Sequence, residues 1–307
     1  MARALKQKDL ISMKELSPQE VQLILKRACE MERIVARKGF CSKLRNKLVA
    51  VLFLEPSTRT RLSFETAAHR LGAGVITVAE TSSSSLAKGE SIYDMVKVIA
   101  GYADAIVLRQ PQAGICTQLA RMIDVPLINA GDGAGEHPTQ ALLDLYTIQQ
   151  ELGRLKALKV ALVGDLRYGR TVHSLVRALV PFKASFVCCA PAELALPNEM
   201  VAELAATGIS LSTVSSLAEV LTCDVVYMTR LQRERFPDPK VYERLKGSYV
   251  LKRELLVKNN SQALILHPLP RVDEIASDVD DLPQAAYFRQ ARNGLFIRMA
   301  LLDLLIS

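Results

Sequence analysis

Arginines, hydroxyls and one histidine recur in this chain where an apolar run gives way to helical spacing. Glu55-Pro56-Ser57-Thr58-Arg59-Thr60-Arg61 directly follows the Val-, Leu- and Phe-rich residues 48–54. Such a run reads as a strand buried on both faces. Leu62, Phe64, Ala67, Ala68 and Leu71 then follow at helical spacing, closed by Gly72 and Gly74. A strand-to-helix turn aims backbone N–H groups and the positive end of the helix dipole at whatever binds there, which favours an anion. Hydroxyls and two guanidinium groups around that point make a phosphate site. The alternative is an ordinary N-cap at Ser57 or Thr58 beside solvated arginines.

Three further stretches share this character. Residues 105–108 read as a buried strand ending in Arg109. Residues 125–129 lead into Gly131-Asp132-Gly133-Ala134-Gly135, whose glycines let backbone approach a ligand closely. His137 and Gln140 then open a long helix that stops at Gly153. Gly164-Asp165-Leu166-Arg167-Tyr168-Gly169-Arg170-Thr171 follows a strand at 159–163 and matches the Walker A spacing except that Arg170 replaces the lysine. A lysine there is a compact point charge between phosphates, a task that a forked guanidinium performs differently. No later hydrophobic strand ends in an acid suited to Mg²⁺, so a carboxylate-binding arginine at a helix start fits better than a nucleotide site.

The elements that must position these groups alternate. Ser17-Pro18-Gln19-Glu20 is a capping box that starts a structural helix. Strands are expected at 75–78, 184–189, 225–228 and 263–266, with helices after the polar loop 81–91 and at 287–305. Taken on its residues, that polar loop is a solvated, mobile linker. Thr229-Arg230-Leu231-Gln232 follows the strand at 225–228, and His267-Pro268-Leu269-Pro270 follows the last one. Two prolines leave the Leu269 carbonyl as a rigid acceptor, while His267 reads as a loop residue without the neighbours a metal ligand needs. Strands alternating with helices predict parallel sheets, whose ligands gather at the carboxyl ends of the strands.

Length and composition narrow the class. A chain of 307 residues, half of them hydrophobic, supports two domains or one large α/β domain. No stretch of eighteen apolar residues exists, which argues against a membrane span or a signal peptide. The formal charge of +7 is scattered among acids and aromatics are scarce, so small acidic ligands explain the arginines better than nucleic acid does. Six cysteines without metal-like spacing point to reduced thiols in the cytoplasm.

With these stretches assembled, the chain resembles the aspartate and ornithine carbamoyltransferase family over its whole length. The motifs that carry the resemblance run from Ser57-Thr58-Arg59-Thr60-Arg61 through Ser84 to Ser91, Arg109-Gln110-Pro111 and His137-Pro138-Thr139-Gln140. They continue with Gly169-Arg170-Thr171-Val172-His173-Ser174-Leu175, Thr229-Arg230-Leu231-Gln232 and His267-Pro268-Leu269-Pro270. The Arg-x-Gln pair, and Pro268 where ornithine enzymes carry a cysteine, place the chain on the aspartate side.

The resemblance implies two domains, each a parallel sheet flanked by helices. Residues 1–138 and 288–307 would form the carbamoyl-phosphate-binding domain, to which the C-terminal helix returns, and residues 139–287 the aspartate-binding domain. It implies transfer of the carbamoyl group of carbamoyl phosphate to L-aspartate, a step of pyrimidine biosynthesis. Ser57, Thr58, Arg59 and Thr60 would bind the phosphate. Thr60, Arg109 and His137 would hold the carbonyl oxygen, and Gln140 with the backbone of Leu269 and Pro270 the amino group. Arg170, Arg230 and Gln232 would bind the aspartate carboxylates. Ser84 and Lys88 would enter a neighbouring subunit's site, making the loop functional, giving Lys88 a catalytic and aspartate-binding part, and making the unit a homotrimer. Glu55 would bridge to second-domain arginines on closure, with Arg170 and Arg235 in the matching positions. No cofactor or metal is implied, and regulatory chains or fusion partners are compatible with the resemblance. The competing readings are a carbamoyltransferase for ornithine or a related amine, a P-loop-like nucleotide-binding protein, and a catalytically silent binding or scaffold subunit.

Overall fold

A computed structural model describes residues 5–79, 85–133, 135–233, 236 and 238–306. The chain divides into two compact units, residues 1–143 with 293–307 and residues 144–292. The division falls inside two helices. Among the described residues no helix is long and apolar enough to cross a membrane.

Unit 1 begins with helix α1 (Pro18–Lys38), whose start carries the expected reciprocal cap: the Glu20 N–H donates to Ser17 Oγ at 3.3 Å and the Ser17 N–H to Glu20 Oε2 at 2.9 Å. Val21, Ile24, Leu25, Ala28 and Met31 bury one face of it. Then follow β1 (Leu48–Phe53), α2 (Thr58–Arg70), β2 (Gly74–Val78), α3 (Ile92–Ala100), β3 (Ala105–Gln110), α4 (Ile115–Ala120), β4 (Leu127–Asp132) and α5 (Pro138–Leu152). The strands are parallel in the order β2-β1-β3-β4. Phe53 and every other β1 residue after Leu48 are buried, as an unbroken apolar run in a parallel sheet requires.

Two strands extend past their expected ends. β3 runs through Arg109 to Gln110, and β4 is displaced to Leu127–Asp132. Pro126 has no N–H to give a ladder, and pairing past Leu108 shifts register so that Gln110 meets Asp132. The N-terminal segment braces the outer side of β4: the Leu10 N–H donates to the Leu127 carbonyl at 2.9 Å, and the Asn129 N–H to that of Leu10 at 2.8 Å.

Unit 2 contains β5 (Lys159–Val163), α6 (Arg170–Leu179), β6 (Ser185–Cys189), α7 (Asn198–Ala206), β7 (Leu211–Val214), α8 (Leu217–Val220), β8 (Val225–Met228), α9 (Pro239–Leu245), α10 (Arg253–Lys258), β9 (Leu264–Leu266) and the start of α11 (Tyr287–Ile306). Its strands are parallel in the order β7-β6-β5-β8-β9. β7 has no counterpart among the sequence expectations. It is a four-residue edge strand that is nowhere fully buried, so Leu-Ser-Thr-Val shows no strong apolar signal.

The first six residues of α11 belong to unit 2 and the remainder to unit 1. That remainder is tied to unit 1 by buried Asp303, which pairs with Arg27 and with Lys43 at 3.3 Å. Arg298 donates to Ser63 Oγ at 3.0 Å and lies over the Phe64 ring. The C-terminal helix therefore returns to the first domain, as expected.

Both sheets wind outward from a central strand in two directions. The chain passes from β1 to β2 on one side and then to β3 on the other. In unit 2 it passes from β5 to β6 and β7, then back to β8 beside β5. Each sheet thus has a switch point, between β1 and β3 and between β5 and β8, where neighbouring loops leave in opposite directions and open a crevice at the strands' carboxyl ends.

Candidate active site

Ser57 to Thr60 and Arg109 lie at the unit 1 switch point, and Arg170, Arg230 and Gln232 at that of unit 2; His137 and Gln140 follow β4, and Leu269 and Pro270 follow β9. In unit 1, Phe53 is registered against Arg109, and the Leu54 N–H donates to the Arg109 carbonyl at 2.8 Å. Pro56 disfavours helical geometry at Glu55, so the chain leaves the strand before α2 begins. Ser57 occupies the N-cap position in an extended conformation, and its hydroxyl makes no capping bond. The ordinary-cap alternative for Ser57 therefore fails. The first intrahelical bond runs from the Arg61 N–H to the Ser57 carbonyl at 3.2 Å, so the amides of Thr58, Arg59 and Thr60 lie at the helix's positive end. Thr58 and Arg59 are exposed there and Thr60 is buried.

Arg109, 8 % exposed, joins the ends of three strands. Sitting on β3, it donates through Nη2 to Glu55 Oε1 at 3.1 Å, just past β1, and through Nη1 to the Ala130 carbonyl of β4 at 3.4 Å. His137 and Gln140 are buried at the start of α5. The Gln140 N–H donates to the His137 carbonyl at 3.0 Å, and His137 Nδ1 lies 3.5 Å from Thr139 Oγ1.

The loop that carries His137 is held by two acids that sequence reasoning missed. Asp132 accepts from the Gly114 and Glu136 N–H groups, both at 2.8 Å. Glu136 accepts from the Ser12 hydroxyl at 2.8 Å and the Met13 N–H at 3.0 Å. The signal available was an aspartate between glycines, a side chain suited to accepting from backbone N–H groups a few residues on. Lys88 ends a 3₁₀ turn (Ser85–Lys88) and is exposed; Ser84 lies outside the described residues.

In unit 2 the loops after β5 and β8 are bolted together by Thr229. Its hydroxyl donates to the Val163 carbonyl at 2.9 Å and accepts from the Asp165 N–H at 2.9 Å. Asp165 Oδ1 accepts from the Tyr168 N–H at 2.9 Å, which shapes the turn into α6. Gly164, at φ +103°, passes against the Thr229 backbone where a Cβ has no room. Buried Arg170 opens α6, half-buried Arg230 follows Thr229, and Gln232 Nε2 donates to the Tyr168 carbonyl at 3.2 Å. Arg170, Arg230 and Gln232 are thus brought to one strand pair, while Arg235 lies outside the described residues.

Leu269 and Pro270 follow β9, the neighbour of β8; Leu269 has φ +54° and its peptide bond to Pro270 is cis. His267 is not a plain loop residue. It is buried, its N–H donates to Gln290 Oε1 at 2.8 Å, and its ring bonds Glu274 and the Leu269 N–H. Burial alone would raise the Glu274 pKa, but the hydrogen bond from His267, with those from backbone N–H groups, outweighs it and holds the carboxyl below its ordinary 4.5. Gln290 also donates to buried Asp144 at 2.6 Å, and Asp144 accepts from the Tyr227 hydroxyl at 2.9 Å. Burial, then the Asp144 charge, pushes the Tyr227 phenol well above its usual value.

A chain of two compact units, with anion-suited strand ends in one and Arg170 and Arg230 at one strand pair of the other, matches two family models in succession. Residues 8–150 match the aspartate/ornithine carbamoyltransferase carbamoyl-P binding domain, and residues 156–305 the Asp/Orn binding domain of the same family. The chain belongs to the aspartate/ornithine carbamoyltransferase family. Within it, the chain is 51% identical to the aspartate carbamoyltransferase catalytic subunit of Methanopyrus kandleri, covering 98% of this chain and 97% of that protein. It is 52% identical to that of Methanocaldococcus jannaschii, covering 98% of each. Among solved structures it is similar to the M. jannaschii catalytic subunit, with TM-score 0.91, 51% identity and 98% coverage of both chains. The aspartate transcarbamoylase of Trypanosoma cruzi in complex with carbamoyl phosphate and aspartate superposes with TM-score 0.92 at 36% identity, covering 98% of this chain and 97% of that one.

Proposed function

We propose that this chain is an aspartate carbamoyltransferase, transferring the carbamoyl group of carbamoyl phosphate to the amine of L-aspartate. The observation that carries the reading is the sorting of residue types between the units. One switch point carries the helix start at Ser57, Thr58, Arg59 and Thr60 beside Arg109, a setting for a phosphate. The other carries Arg170, Arg230 and Gln232, forked donors suited to a molecule with two carboxylates. We assign carbamoyl phosphate to the first and aspartate to the second. The domain division we propose is residues 1–138 with 288–307, and residues 139–287.

The chemistry follows from those assignments. The aspartate amine attacks the carbamoyl carbon and the carbonyl oxygen becomes an oxyanion. Thr60, Arg109 and His137 donate to it, and Arg59 stabilises the phosphate as it leaves. An oxygen of that phosphate accepts the amine proton, so positioning and charge stabilisation carry the rate and no covalent enzyme intermediate is required. Gln140 and the Leu269 and Pro270 carbonyls orient the carbamoyl amino group. Lys88, with Ser84, acts in a neighbouring copy's site within a homotrimer, and Glu55 and Arg235 serve domain closure. The six free thiols suit a reducing, cytoplasmic setting, where the product enters pyrimidine synthesis.

The test is carbamoyl-aspartate formation from carbamoyl phosphate, with ornithine as the competing amine. Arg170 and Arg230 repel the ornithine ammonium, so aspartate is carbamoylated and ornithine is not. Comparable rates with both amines refute the aspartate assignment, and ATP binding that depends on Mg²⁺ instead of carbamoylation would favour the nucleotide-site reading.

A further inference from the structure

Glu274 touches none of the residues assigned to either substrate except through one imidazole. His267 Nε2 lies 2.6 Å from Glu274 Oε1, and His267 Nδ1 lies 2.8 Å from the Leu269 amide nitrogen. The Leu269 N–H can only donate, so Nδ1 must carry a lone pair and the ring proton sits on Nε2, facing the carboxylate. The other oxygen, Oε2, accepts from the Val272 and Asp273 N–H groups, both at 3.1 Å. Every contact of the carboxylate therefore needs an acceptor. Leu269 sits at φ +54°, a backbone region that side chains other than glycine, asparagine and aspartate seldom occupy.

We propose that Glu274 is a positioning residue for carbamoyl recognition: by holding His267 in its Nε2–H tautomer it keeps Nδ1 as the acceptor for the Leu269 N–H, which aims the Leu269 and Pro270 carbonyls. The proposal rests on the reading above, in which those carbonyls accept from the carbamoyl amino group. Both Glu274 and His267 are buried, 6 % and 1 % exposed, so water does not readily replace a lost partner.

Glu274→Gln is the diagnostic change because it keeps the shape and removes one acceptor. The single amide oxygen goes to the paired Val272 and Asp273 donors, and the amide NH₂ then faces His267 Nε2. The ring proton is displaced to Nδ1, where it confronts the Leu269 N–H. Among only four histidines, ¹⁵N shifts of the imidazoles resolve that change in the intact protein. Calorimetry with carbamoyl phosphate, acetyl phosphate and inorganic phosphate supplies the second readout. Acetyl phosphate carries a methyl where the amino group would be, and phosphate carries neither.

The expected result is a proton moved to Nδ1, carbamoyl phosphate weakened by about tenfold, the scale of one hydrogen bond, and the other two ligands unchanged. Adding His267→Asn to Glu274→Gln restores the preference for carbamoyl over acetyl phosphate, because the asparagine oxygen accepts the Leu269 N–H without a tautomer to set. Should Glu274→Gln fail to fold, His267→Asn alone must keep the preference, and its loss overturns the proposal. Retention of the proton on Nε2, or equal weakening of all three ligands, overturns it as well. Wild-type protein that makes no carbamoyl-aspartate would instead defeat the functional reading, and the tautomer readout separates the two failures.

Discussion

Gly164→Ala tests whether the two loops at the unit 2 switch point form one rigid piece. A Cβ built on Gly164 falls 2.9 Å from Thr229 Oγ1 and nearer still to the Thr229 carbonyl oxygen, while the residue sits at φ +103°. Two costs therefore add: roughly 1–3 kcal/mol for a side chain in that backbone region, and roughly 1–3 kcal/mol for overpacking against backbone that cannot rotate away. Gly208 isolates the first. It has φ +71° with nothing within 4 Å of the added carbon, so Gly208→Ala carries the backbone cost alone. The difference between the variants is the clash together with the extra strain of φ +103° over φ +71°, worth about 2–4 °C of melting temperature per kcal/mol for a domain of this size.

Part of the clash is relieved by pushing the Thr229 turn outward, which moves Arg230 and Gln232 one and three residues on. A displacement near 1 Å can cost on the order of a hundredfold in rate. Gly164→Ala should therefore melt lower than Gly208→Ala and lose carbamoylation chiefly through aspartate, while binding of carbamoyl phosphate measured alone stays as in wild type. Equal melting temperatures for the two variants, or unchanged aspartate kinetics, refute the idea that the β5 and β8 loops share one fixed geometry.

Arg59→Ala should lower turnover by on the order of a hundredfold to a thousandfold, the usual magnitude for one preorganised donor at developing charge, and near-wild-type turnover rejects its role. Mixing Arg59→Ala with Lys88→Ala protein should regenerate activity through hybrid trimers; no recovery after verified subunit exchange counts against the shared site. Acid stability supplies another test at Asp104, which accepts from Lys47 Nζ at 2.9 Å and the Leu48 N–H at 2.8 Å. Burial pushes its pKa up, but those two bonds outweigh that and hold it below the ordinary 3.8. A carboxyl lower in the fold than in the unfolded chain contributes stability that is complete above about 3.8 and is lost as pH falls through the folded value. Asp104→Asn should therefore flatten the acid limb of a melting-temperature profile, and an unchanged limb removes Asp104 from that account.

The repeating elements were legible because their signals are local. Residues 48–54 and 160–163 are apolar without interruption, so they read as strands buried on both faces, and the cap at Ser17 and Glu20 announces α1 wherever α1 packs. β7 was silent because this four-residue edge strand is fully buried on neither face, so little demands apolar residues there. The positions of Ser57, Arg109, Arg170 and Arg230 at strand-to-loop transitions were also readable one stretch at a time.

Strand order was not. That β3 returns to the far side of β1, and β8 to the far side of β5, follows from which crossovers pack on which face, a property of pairs distant in the chain. It is this order that makes neighbours of Phe53 and Arg109, and of Val163 and Met228. The supporting acids were hidden for the same reason. Asp132, Glu136 and Glu274 also make local bonds or look like ordinary polar residues in sequence, and only folding brings Asp132 to the Gly114 N–H, Glu136 to Ser12 and Met13, and Glu274 to the buried His267 ring. By itself, the sequence determined the elements and the chemical groups at their ends. Tertiary structure decided which ends meet, because a hydrogen bond depends on distance in space and the sequence records only distance along the chain.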